Sequence, residues 1–303
     1  MKSSFLFVII LLTATTGFAC EICGCGNNNF QIGLLPNFRN GFVGLRYSYS
    51  SFHSEMADDH SEFSRDRYQS LEVWGGYQVR RLQLMTFIPY YQAKKVSDDG
   101  TSSTSGVGDM MVLANYKIIS STGLSGDLTK TIRNELYLGG GIKFATGVNR
   151  VNALDPEFNM GSFNSQPGTG STDALATLTH NLLWNNSGVI TNVAYRFNGS
   201  NPQGFRFGNC FYETTSFFHT FKTGSMKVNP LVGVNLMINN TNRFNSTEIQ
   251  GSNGHMLNTV VGINIVAGKL GFLANTFIPA TQRMYEGQTV LKTRSTVGLT
   301  FSF

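Results

Sequence analysis

Beyond its first residues the chain has no long hydrophobic run, and no segment approaches the roughly 18 consecutive apolar residues that a transmembrane helix needs. Helical membrane spans are thereby excluded. Charge is also sparse: Asp, Glu, Lys and Arg make up 14% of the residues, and the net charge of +5 comes without a dense Lys/Arg run. A nucleic-acid partner has no support in that pattern. The five histidines, His53, His60, His180, His219 and His255, are scattered, and no nucleophile elbow, phosphate loop or metalloprotease helix motif occurs. An enzyme is therefore not expected. A barrel that assembles polar residues in space is the catalytic alternative the sequence leaves open.

What the chain does have is 33 Gly and 24 Phe in 303 residues. That mixture is too aromatic for disorder and too Gly-rich for a helical protein, so it favours strands and turns. Met1-Lys2, the apolar run Phe5–Leu12 and the small-residue ending Gly17-Phe18-Ala19 carry the three regions of a secretory signal. We read 1–19 as a signal peptide, 20–39 as a Cys-rich arm and 40–303 as a single all-β domain. Cleavage after Ala19 leaves Cys20 first and opens lipidation as an alternative, although Gly17 and Phe18 make a poor lipobox.

A membrane barrel shows lipid only one face of each strand, so it writes stretches of about ten residues with apolar side chains at every second position. The last segment does so: Leu291, Val297, Leu299, Phe301 and Phe303 share one parity, and Lys292, Arg294, Thr296, Thr300 and Ser302 the other. Terminal Phe303 also resembles the signal read by the outer-membrane insertion machinery. Similar strands are expected from Asn40, and near 68–79, 82–95, 106–119, 132–145, 171–184, 188–199, 205–221, 226–239, 255–266 and 269–282. The total is about twelve, even as bacterial barrels require. Connections after odd strands are mostly long and polar (His53–Arg67, Ser97–Ser105, Gly147–Gly170, Asn240–Asn253). Those after even strands are short (Arg80-Arg81, Asn185–Ser187, Lys222–Ser225, Ala267-Gly268), except Ser120–Thr131. That sorting matches outer loops and periplasmic turns and disfavours a secreted β-sandwich. The expected fold is a single antiparallel transmembrane β-barrel in the outer membrane of a Gram-negative-type bacterium, its lipid the first partner and its N-terminal arm in the periplasm.

The inward parity carries Arg46, Glu72, Asp109, Lys117, Arg133, Glu135, Lys143, Arg196, Lys292 and Arg294 as candidate lumen residues, together with the apolar Trp74, Met85 and Phe87. Most of the charges are expected to form paired networks that hold the wall together, with some free to gate or select a permeant. A lumen mixing apolar walls with a few polar groups suits a small hydrophobic or aromatic solute. Two Thr-Phe-Ile-Pro segments, at 86–89 and 276–279, place prolines where a ladder bond must be missing; they either bend the rim or open a path through the wall, and we favour the rim.

Ser105-Gly-Val-Gly-Asp109, Gly141-Ile-Lys-Phe-Ala-Thr-Gly147, Gln166-Pro-Gly-Thr-Gly-Ser-Thr-Asp173 and Phe205-Arg-Phe-Gly208 resemble, in order and spacing over roughly 70–300, the outer-membrane proteins of the MetA-pathway of phenol degradation family. Ala145 stands where that family usually has Pro. The resemblance implies a transporter-like barrel for small hydrophobic or aromatic compounds with no catalysis of its own.

Cys20, Cys23 and Cys25 crowd the mature N-terminus. Close thiolates with intervening Gly suit copper or zinc, and in the periplasm they also suit disulfide pairing. The leading functional expectation is an outer-membrane channel for small solutes. Its alternative is a barrel with a closed lumen that anchors the cysteine arm for metal or redox work. Cys210 is placed near the outer side, remote from the other three.

Overall fold

The computed structural model describes residues 41–55, 63–98, 100–124, 131–152 and 160–303. The signal peptide and the Cys-rich arm expected over 1–39 lie outside the described residues. Strands β1 Gly41–Glu55, β2 Phe63–Val79 and β3 Leu82–Ser97 come first, then β4 in two pieces, Gly100–Val107 and Met111–Leu124. They are followed by β5 Thr131–Lys143, β6 Asp173–Trp184, β7 Ser187–Phe197, and β8 Cys210–His219 prolonged by Phe221–Thr223. β9 Met226–Asn239, β10 Gly254–Ala267, β11 Leu270–Met284 and β12 Thr289–Ser302 complete the set. Each strand pairs antiparallel with the next, and β1 pairs with β12 from Phe42 opposite Ser302 to Ser54 opposite Thr289. The result is a closed antiparallel barrel of 12 strands.

Alternation decides which face is which. In β12, Leu299 is 61% exposed while its neighbour Thr300 is 5% exposed, and Val43, Leu45, Val73, Ile142, Val232 and Phe301 are likewise exposed around the wall. Apolar side chains exposed on this scale have no water-facing rationale and fit a hydrocarbon surround. The inner face carries polar Ser48, Ser50, Asn115, Asn235, Asn258 and Thr296, all buried. One end is closed by two-residue turns at 80–81, 185–186, 224–225 and 268–269, where Arg80, Asn185, Gly224 and Gly268 take the positive φ that tight hairpins demand. We call this the turn end; the other is the loop end.

Several elements differ from expectation. The polar stretch 97–105 is no loop: Gly100–Val107 pairs with β3 from Ser97 opposite Gly100 to Tyr90 opposite Val107, a hairpin stem that stands above the main wall. The expected strand 205–221 starts only at Cys210, and Phe205–Arg206 belongs instead to a small sheet with Arg243–Phe244 and Thr247–Glu248. Its alternating aromatics fold inward from a loop rather than outward from the wall. β4 runs on to Leu124 into the stretch read as a long turn.

Candidate functional site: the interior of the barrel

Aromatic and sulfur-bearing side chains fill the loop-end half of the interior. Phe52, Tyr68, Met237, Met256, Met284 and Leu291 reach in from the strands, and Phe163, Phe205 and Phe207 descend from the loops to meet them. Phe205 stacks on Phe163 at 4.2 Å between centroids and meets Phe207 edge-on at 4.8 Å. Such contacts add to area burial and fix the loops in one arrangement.

A buried polar knot holds those loops down. Lys143 Nζ lies 2.6 Å from Asp109 Oδ2 and 3.1 Å from Asp173 Oδ2, and donates to the Ser171 carbonyl at 2.9 Å and to the Thr169 hydroxyl. Asp109 accepts from the Gly147 amide at 2.9 Å and from the Thr169 amide at 2.9 Å, while Asp173 accepts from the Ser171 hydroxyl at 2.8 Å and the Gly199 amide at 3.0 Å. Gly147 and Gly168 pass so close that a Cβ on Gly168 would sit 2.5 Å from the Gly147 carbonyl carbon, so both positions need glycine. The first three resembling motifs, distant in sequence, meet at this knot, and the Phe205–Gly208 motif packs beside it. Thr169, Ser171 and Asp173 join the site beyond the expected lumen residues, and their signal in the sequence is the Gln166–Asp173 motif.

At mid-height Arg46 pairs with Glu72, and its guanidinium carbon lies 5.3 Å from the Trp74 ring centre and 5.8 Å from that of Phe87. Met85 packs in the same cluster with Phe42, Leu113 and Leu273. Nearer the turn end Lys117 Nζ lies 3.1 Å from Glu135 Oε1 and 5.2 Å from the Tyr137 ring centre, with Arg133 at 4.0 Å from Glu135. Beside them a cavity of about 800 Å³ reaches the turn-end rim, lined by Lys117, Arg133, Glu135, Lys222 and Lys227 and by apolar Leu183, Ile190, Phe218 and Val266. Arg196, buried near the loop end, lies over Tyr212 at 6.0 Å, and Arg294 is buried on β12.

Lys292, expected in the lumen, is exposed on the outer face instead. The β1–β12 register slips between Ser51/Thr293 and Phe52/Leu291, so Lys292 is an extra, bulged residue. The slip reverses the parity below it: Leu291 becomes 2% exposed on the inner side and Lys292 is exposed on the outer. β12 can bulge there because its other neighbour has let go. The β11–β12 ladder stops at Phe277 opposite Arg294 and resumes at Met284 opposite Thr289. Pro279 lies in this gap, where Gln282 instead accepts from the Leu291 amide at 2.7 Å and donates to its carbonyl at 3.2 Å. Pro89 faces the interruption in β4, and its carbonyl accepts from the Gly108 amide at 2.8 Å. Both prolines thus mark breaks within the wall below the strand ends, not at the rim.

Cys20, Cys23 and Cys25 lie outside the described residues. Among the described residues, no group of three or more His, Cys, Asp or Glu side chains is arranged to hold a metal ion.

Over 89% of this chain and 97% of the other, the barrel superposes on the crystal structure of the COG4313 outer membrane channel from Pseudomonas putida F1, with a TM-score of 0.57 at 14% identity. The fold is that of an outer-membrane barrel. The translocator domain of the autotransporter NalP from Neisseria meningitidis matches more loosely, with a TM-score of 0.45 at 8% identity over 93% of this chain and 92% of that one. No protein-family model matches the chain, and no curated protein does.

Proposed function

We propose that the chain is an outer-membrane channel of the transporter-like kind, with its turn end in the periplasm, that passes small hydrophobic or aromatic solutes and carries out no catalysis. The observation that carries this reading is the cavity of about 800 Å³ inside a closed barrel, walled by both apolar and charged side chains. That volume and mixture match a site for a small organic molecule better than a water-filled pore for ions. The apolar packing of the loop-end half supports the same solute class, since it excludes bulk water from the outer mouth. The gap between β11 and β12 supports a second route, from the lumen sideways through the wall, because one Gln side chain replaces several ladder bonds there. The motifs that resemble the phenol-degradation family agree with this solute class, and the C-terminal strand ending in Phe303 fits delivery by the outer-membrane insertion machinery.

The test is uptake. Deleting the gene in the host is expected to slow accumulation of a labelled small aromatic solute at limiting concentration and to leave a sugar of similar mass unaffected. A deletion with no uptake defect, together with a sealed barrel in planar bilayers, would defeat the proposal.

A further inference from the structure

Five basic side chains stand together on the outer face of the wall toward the loop end: Arg65 and Arg67 on β2, Lys94 on β3, Arg283 on β11 and Lys292 on β12, all exposed. The register brings them side by side. Ser51 of β1 lies opposite Arg67 on one side and opposite Thr293, the neighbour of Lys292, on the other, and Arg67 lies opposite Lys94. From β12 to β3 the patch spans three strand spacings, about 14 Å. Across the β11–β12 gap, Gln282, the neighbour of Arg283, is hydrogen-bonded to Leu291, the neighbour of Lys292. None of the five has an ion pair with another described residue. The described acid nearest on this face, Glu55, is 3.1 Å from His53 instead.

The patch lies at a defined height. On β2 the outward residues Val79, Tyr77, Val73 and Leu71 are apolar or aromatic and exposed, and Gln69, Arg67 and Arg65 follow them. Val79 to Arg67 is twelve steps, about 40 Å along the strand and about 30 Å along the axis at a usual barrel tilt. An apolar band about 25 Å tall therefore ends between Leu71 and Arg67. Exposed Tyr47 and Tyr90 flank Leu71 on the adjacent strands, where an interface girdle belongs. The cations above it stand among lipid headgroups.

Two features favour an anion there. Arg67 and Lys94 are directly opposite, an arrangement that repels until a negative group sits between them. Lys292 reaches this face only through the bulge that inverts the parity of β12. We propose that the patch binds the phosphates of a lipopolysaccharide molecule, with Arg67, Lys94 and Lys292 as the central contacts and Arg65 and Arg283 flanking them. Five cations exceed the single charge of a phospholipid diester and suit a headgroup with several phosphates, which guanidinium and ammonium donors grip by charge-assisted hydrogen bonds. The assignment goes beyond the solute reading and rests only on its orientation, loop end outward.

The test uses the folded barrel, stripped of lipid in detergent and titrated with bisphosphorylated lipid A, with its dephosphorylated form and with phosphatidylglycerol, bound lipid being read by native mass spectrometry. The wild type is expected to retain bisphosphorylated lipid A in preference to both others. The combined Arg67→Gln, Lys94→Gln and Lys292→Gln variant, its fold checked by heat-modified migration, should bind it about tenfold more weakly or worse. Equal retention of the dephosphorylated form or of phosphatidylglycerol by the wild type would overturn the proposal, as would equal binding by the folded variant. Because the readout is lipid binding in detergent, a failed uptake experiment leaves it untouched.

Discussion

The two halves of the barrel interior are built from the same alternating wall yet filled differently. At the loop end, Phe163, Phe205 and Phe207 come from connections and are held by one lysine between two aspartates. At the turn end the side chains come from the strands themselves, their charged groups are partly accessible, and a cavity remains. The wall thus sets the shape of the lumen, whereas the loops decide where it is shut. A change in the knot acts on closure at the loop end; a change at Lys117 or Arg133 acts on what the cavity holds.

The largest effect is expected from Lys143→Met. It leaves Asp109 and Asp173 buried without a counter-charge, a loss of about 3–5 kcal/mol by analogy with other broken buried pairs. Thermal melting in detergent, or the temperature at which heat-modified migration appears on gels, measures it; a variant as stable as the parent would show that the knot does not hold the loops. Phe205→Ala should cost about 3–4 kcal/mol, because it removes the ring between Phe163 and Phe207. A loss below about 1 kcal/mol would mean that the loop-end cluster is loosely packed. Gln282→Ala removes two hydrogen bonds across the β11–β12 gap, and the expected loss is about 1–2 kcal/mol. It should raise the uptake of an apolar solute if that gap is a route, and unchanged uptake counts against the sideways path. The smallest effect is assigned to Lys222→Ala with Lys227→Ala at the turn-end rim. Stability should stay the same, and the preference for anionic over neutral aromatic solutes should fall; an unaltered preference would remove these lysines from solute selection.

The regular wall was legible because lipid on one side imposes a period of two, and β12 shows it in consecutive residues from Val297 to Phe301. Parity fails wherever a bulge intervenes, as at Lys292, since one extra residue inverts the faces beyond it. The stem at 100–107 is not legible in the sequence for a related reason. Gly100 to Ser103 are exposed to solvent, so nothing selects apolar residues there. Phe205 and Phe207 read as strand because alternation is the same whether a segment faces lipid or folds into a lumen. The pairing of Lys143 with Asp109 and Asp173 joins residues 34 and 30 positions away, a juxtaposition that local pattern does not encode. Its motifs were visible and their meeting point was not.

Closure from the loop end is tested most directly by planar-bilayer conductance of the wild-type barrel beside Lys143→Met, with the fold of each confirmed by heat-modified migration. Low steady conductance in the wild type and an increase of severalfold in the variant are expected. Equal conductance in two folded barrels, or a wild-type barrel already as conductive as an unplugged pore, would contradict it.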